Sequence, residues 1–291
     1  MHKCMGVCVV AVLAGVASGQ LLDGQNIAAD AAARGMPLLT VQDTPTGFGN
    51  ATGGGQDSAG GSELNAAWGV IDGGTLRLSM TGNLEGNFNK FWIFFDSMAG
   101  GQNVLANDNN DGGFNEINNM AGLTFDAGFA PNHGLRIEVG GGFLGINAFN
   151  LLDKTAQSVW TAGGPSDLPI ANAVGGAGVS FGWDNSNVLG VDGSSAADAL
   201  TADKGWEFEI DMAAFFGSPS GEVKVTAFIT SGDAGFFSNQ FLAGVGGLGN
   251  LGTDVRDLNQ VAGLQYFTIV PAPAGAALFG LAGLCAVRRR R

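Results

Sequence analysis

Four separate stretches of this chain alternate apolar and polar side chains with a period of two, and that pattern constrains the fold more than any other feature. Leu76, Leu78 and Met80 alternate with Arg77, Ser79 and Thr81, and Leu135, Ile137 and Val139 with Arg136 and Glu138. Trp206, Phe208 and Ile210 alternate with Glu207, Glu209 and Asp211, and Val223, Val225, Ala227 and Ile229 with Lys224 and Thr226. Successive side chains of a strand point to opposite faces, so each stretch predicts a strand with one buried face. Phe91 to Phe95 is apolar at every position, which predicts a central strand covered on both sides. Asp72-Gly73-Gly74, between two such runs, predicts a hairpin turn. Helical patterning is confined to Gln25 to Arg34, stopped by Gly35, and to one turn over Asp211 to Phe216. Without strand–helix alternation a doubly wound α/β fold is disfavoured. The expectation is an all-β, antiparallel β-sandwich, jelly-roll-like, with long Gly/Asn/Asp-rich loops. Glycine supplies those loops: there are 50 in 291 residues, without the triplet period of collagen.

Charge narrows the partners. All 26 acidic residues lie between Asp23 and Asp257, whereas Lys3 and Arg288 to Arg291 take five of the 13 basic ones to the ends. The stretch between carries 26 acidic against 8 basic residues. Such a surface repels phosphate backbones, which excludes nucleic acid as a natural partner, and attracts divalent cations. The three cysteines, Cys4, Cys8 and Cys285, sit in the terminal segments, so the body contains no disulfide and no thiolate metal site.

Both ends read as addresses. Lys3 followed by the apolar run Met5 to Val16 predicts a signal peptide over residues 1–19, with Ala17 and Gly19 as the small residues before the cleavage point. The body is expected over residues 20–269. At the other end, Val270-Pro271-Ala272-Pro273 precedes an apolar run over 274–287 and the closing Arg288, Arg289, Arg290 and Arg291. As a helix that run spans about 21 Å, short of a hydrocarbon core of about 30 Å. It predicts a short transmembrane helix that anchors the chain transiently, arginines on the cytoplasmic side. This tail, over 270–291, resembles the PEP-CTERM sorting signal of exported bacterial proteins, in a planctomycete-like variant with Ala272 at the usual glutamate. The resemblance implies the export machinery and an exosortase as partners, and a destination at the cell surface or in the extracellular matrix.

Within the body, Thr46-Gly47-Phe48-Gly49, Ser62-Glu63-Leu64-Asn65, Thr81 to Asn89 and Ser238-Asn239-Gln240-Phe241 together look like a β-sandwich domain of exported bacterial proteins. The pattern is also similar to DOMON and family-nine-type carbohydrate-binding modules, through Asp23-Gly24 and a strand ending at Asp96. That resemblance implies sugar or haem binding.

Three chemical motifs depend on their context. Gly178-Val179-Ser180-Phe181-Gly182 spells a nucleophile elbow, but Val179, Phe181 and Trp183 alternate like a strand, and the body's one histidine, His133, lies upstream. Gly140-x-Gly142-x-x-Gly145 and Gly244-x-Gly246-x-x-Gly249 spell dinucleotide fingerprints, yet neither opens a helix. Asn107, Asn109 and Asp111, followed by Gly112, reproduce the first half of a calcium loop, with Asn118 where the bidentate glutamate belongs. Calcium is the one cofactor this predicts. Trp92 and Trp183 are candidate platforms for sugar rings. The carboxylates Glu207, Glu209 and Asp211 share one strand face and could serve glycosidic chemistry. The functional expectation is a non-enzymatic surface or matrix protein that binds polysaccharide. The alternative is a secreted, carboxylate-based glycan hydrolase or lyase.

Overall fold

A computed structural model describes residues 21–48, 61–163, 169–190, 195–217, 221–254 and 256–273. The expected signal peptide with Ala17 and Gly19, the 274–287 run and Arg288 to Arg291 lie outside them. No helix among the described residues is long and apolar enough to cross a membrane.

Two antiparallel sheets face each other. The first runs β1 (Leu38–Val41), β2 (Glu63–Asp72), β3 (Thr75–Asn83), β10 (Gly205–Asp211), β9 (Val179–Trp183) and β8 (Ile170–Val174). The second runs β12 (Phe237–Leu242), β11 (Val223–Thr230), β4 (Asn87–Asp96), β5 (His133–Gly140), β6 (Phe143–Asn150) and β7 (Thr155–Gly163). A short β13 (Phe267–Ile269) pairs with the start of β11, whose later residues pair with β12. The expected strands fall where the alternation placed them. Asp72 pairs with Thr75 across Gly73 and Gly74, both at positive φ (57° and 84°), the backbone that a two-residue hairpin turn demands and glycine adopts without strain. Helices are brief: α1 (Ile27–Ala33), α2 (Ala196–Ala199) and α3 (Met212–Phe216).

Alternate residues of both sheets fill the space between them. Leu76, Leu78, Phe91, Ile93, Leu135, Phe181 and Phe208 belong to this central core, and Trp183 stacks on Trp206 with ring centroids 4.6 Å apart. The second sheet is also covered on its outer face. There Trp92, Phe94, Phe228 and Phe241 meet Leu105, Ile117, Met120, Phe125 and Phe129 from the long β4–β5 connection. This second apolar layer is the reason β4 is hydrophobic at every position from Phe91 to Phe95. On the far side, α1 lays Ile27 and Ala31 against Ala66, Trp68 and Val70 of β2.

Candidate functional site

The tryptophans chosen from sequence are enclosed. Trp92 and Trp183 are both 0% exposed, so neither offers an indole face to a sugar ring. Trp183 lies in the central core, and Trp92 lies under the β4–β5 connection, where its Nε1 donates to Thr230 Oγ1 at 2.8 Å.

The calcium-like loop turns its oxygens inward. Asp111 is fully buried; its Oδ1 accepts from the Gly113 and Asn115 amides at 2.7 and 3.2 Å, and its Oδ2 from Ile117 N at 2.9 Å. Asn109 exchanges side-chain hydrogen bonds with Gln102, while Asn118 grips the Asn109 main chain from both sides. Asn107 is exposed at the surface. Asp126, the acid of the same β4–β5 connection, accepts from Gln265 N at 2.5 Å. Asparagine and aspartate spaced for a cation here fold the chain around their own N–H groups, a pattern these residues favour in turns. Asp111→Ala is therefore expected to strand three amide donors and to cost about 2–4 kcal/mol. In urea denaturation the loss should be the same with calcium or with a chelator; a loss seen only with calcium would restore the cation to this loop.

The remaining motifs also resolve into structure. Ser180 sits inside strand β9, paired with Glu209, and Gly141 and Gly142 form the β5–β6 hairpin turn. The three carboxylates of β10 have separate duties. Asp211 caps α3 through the Ala213 and Ala214 amides, and Glu209 is bridged to Arg77 and Arg34. Glu207 is buried beneath the N-terminal segment.

Three of the scattered body stretches converge on one buried polar network that joins the two sheets near β2 and β12. Gln240 Oε1 accepts from Leu64 N at 3.0 Å and from Gln42 Nε2 at 2.6 Å. Asn239 receives the Gly47 amide at 3.0 Å and donates to Pro45 O, and Glu63 receives the Thr46 amide at 3.1 Å. Each partner is spoken for within the fold, so this constellation holds the sandwich shut. Farther along the chain, Val270 and Ala272 hydrogen-bond to both sides of the Ile71 main chain.

One concavity among the described residues is a cleft of about 420 Å³ where β5, β6 and β7 meet α3. His133, Asn150, Thr155, Gln157, Phe215 and Phe216 line it. Thr155 and Gln157 stand on its exposed rim, while the Phe215 and Phe216 rings are buried and pack against each other and against His133. His133 Nδ1 lies 2.8 Å from Asn132 Oδ1, and the Asn132 amide nitrogen is committed to Met98 O. Nδ1 therefore carries the proton and Nε2 is left as an acceptor. Burial holds the imidazole below its ordinary 6.5, against a smaller upward pull from Asp153, so His133 is neutral at pH 7. Among the described residues, no Asp, Glu, Lys or Arg lines the cleft. Sequence reasoning passed over it because its residues come from four elements with no local spacing in common. No family model, curated protein or solved structure matches the chain.

Proposed function

We propose that this is an exported, non-enzymatic β-sandwich protein of the cell surface or extracellular matrix that binds neutral polysaccharide in the His133–Phe216 cleft. The observation that carries this reading is the uncharged lining of a concavity of ligand size. The Asn150 and Gln157 amides and the Thr155 hydroxyl, which donates to Asp153 Oδ1 and is still able to accept, suit sugar hydroxyls, and Ala148, on the same sheet face, suits the C–H face of the ring. An acidic body repels anionic polymers, which favours a neutral glycan. The hydrolase alternative needs a solvent-facing carboxylate pair, whereas the β10 carboxylates are engaged in capping, ion pairing and burial. Delivery rests on the two ends. The signal peptide takes the chain out, the apolar 274–287 run holds it briefly, and an exosortase-type enzyme acts at the Val270–Pro273 motif. The body is a jelly-roll-like module carried by that tail.

A glycan panel tests the reading on the full-length chain. The double variant T155A/Q157A is expected to weaken binding of a neutral polysaccharide at least fivefold with an unchanged melting temperature, because both side chains are exposed. Wild-type affinity in that variant, or binding confined to acidic glycans, would refute the assignment.

A further inference from the structure

Glu207 is the most conspicuous oddity in the first sheet. It belongs to the polar face of β10, yet it is only 1% exposed. The cause is a strap of main chain, residues 22–24, that crosses β8, β9 and β10 on their outer side. Leu22 and Asn172 exchange hydrogen bonds, and Gly205 N donates to Gly24 O at 2.9 Å. The approach is close enough that a Cβ on Gly182, the β9 residue paired with Glu207, would stand 2.2 Å from the Leu22 carbonyl carbon. The Asp23 and Gly24 amides both donate to Glu207 Oε2 at 2.9 Å. The other oxygen, Oε1, is buried and has no hydrogen-bond partner. Burial raises the Glu207 carboxyl above its ordinary 4.5, opposed by the two amides and by Arg34. A carboxylate kept in such a place calls for a positive partner.

Two more carboxylates stand beside it. One oxygen each from Asp23, Asp30 and Glu207 lies within 4.8 Å of the others, and among the described residues this is the one group of three or more potential metal ligands so gathered. Asp23 comes from the strap, Asp30 from α1 and Glu207 from β10. We infer that these three residues bind a divalent cation, calcium by its chemistry, which fastens the strap and α1 to the outer face of the first sheet. The donors are all hard oxygens, and calcium accepts them at about 2.3–2.6 Å in irregular geometry, so ligands across the ion stand up to about 5 Å apart. Magnesium, at about 2.0–2.1 Å and strictly octahedral, needs a tighter cluster. Oε1 of Glu207 then gains the partner that the protein does not provide. The site is separate from the Asn107–Asp111 loop, where both Asp111 oxygens point at main-chain amides.

Equilibrium dialysis of the full-length chain, stripped with chelator and returned to calcium or to magnesium, tests this. One calcium per chain is expected, bound with a Kd below about 1 mM and more tightly than magnesium. At a hundredfold excess over Kd the melting temperature should rise by roughly 5–10 °C. Glu207→Gln and Asp30→Asn should each weaken binding at least tenfold, while Asp111→Asn leaves it unchanged. If Glu207→Gln proves unfolded by circular dichroism, Asp30→Asn decides alone, because Asp30 is partly exposed on α1. The inference is overturned by the absence of saturable calcium binding at millimolar concentrations, by wild-type affinity in Asp30→Asn, by loss of binding in Asp111→Asn, or by tighter binding of magnesium.

Discussion

Replacing Trp92 by alanine is expected to destabilise the protein by about 3–5 kcal/mol, the range for removing a large aromatic side chain from a packed interior. Trp92 is fully buried, with Phe94 and Phe149 rings at 6.2 and 6.1 Å and Thr230 Oγ1 on its indole nitrogen. Its removal would open a cavity between the second sheet and the β4–β5 connection and leave Thr230 short of a donor. Trp92→Phe keeps most of the ring packing and gives up the hydrogen bond, so a loss of about 1–2 kcal/mol is expected. Urea midpoints for the two variants would measure the difference. If alanine cost under about 1 kcal/mol and glycan binding fell instead, Trp92 would be a ligand contact and the enclosed layer around it would be wrong.

The same residue marks how far the sequence could be read. Alternation alone located β3, β5, β10 and β11, because a period of two has one structural meaning and the buried face of each strand is uniformly apolar. The all-apolar run Phe91 to Phe95 correctly implied cover on both sides, but not what the outer cover was. That cover, residues 97–132, has no periodicity. It is anchored by single apolar residues such as Leu105, Ile117 and Phe129, and by Asn103, whose side-chain amide bonds to the carbonyls of Phe125, Asp126 and Phe129. Such a segment reads as loop because its order depends on tertiary contacts alone.

The Asn107–Asp111 loop misled for a related reason. Oxygens on alternate residues can turn toward a cation or toward amides of the same loop, and the spacing is identical in both cases. Glu207 misled differently, since an acid on a strand's polar face is ordinarily solvated. One sign to the contrary was present: Gly182, in a strand between the large Phe181 and Trp183, marks a place where another backbone comes close. The strap that makes the approach is separated from it by well over a hundred residues, and no local pattern links the two.

The largest electrostatic effect is expected from Arg136. It stands on β5 opposite Trp92, 1% exposed, with Nη2 at 3.1 Å from Glu116 Oε1 and 2.9 Å from Glu138 Oε2. Lys90 completes a charge-balanced quartet, 2.5 Å from Glu138 and 3.5 Å from Glu116. Main chain closes over the guanidinium: a Cβ on Gly113 would come within 2.6 Å of Arg136 Cζ. Arg136 thus ties the Asp111 loop, through Glu116, to the sheet. Breaking one member of a buried network leaves uncompensated charge, so Arg136→Ala is expected to cost about 3–5 kcal/mol, and Arg136→Lys to recover only part of it, since the lysine side chain ends one bond short of the position from which Nη2 meets both carboxylates. Burial raises the Glu116 carboxyl, but Arg136, a main-chain hydrogen bond and Lys90 together outweigh it and hold the group below its ordinary 4.5. A depressed carboxyl contributes stability that is fully present above about pH 4.5 and is lost as pH falls through the lower folded value. Arg136→Ala removes the Arg136 share of that contribution, leaving the main-chain hydrogen bond and Lys90. The gap between wild type and variant in urea midpoint should therefore be widest near neutral pH and narrow below pH 4.5. A gap that stayed constant from pH 7 to pH 3 would mean that Arg136 acts through packing and not through its charge.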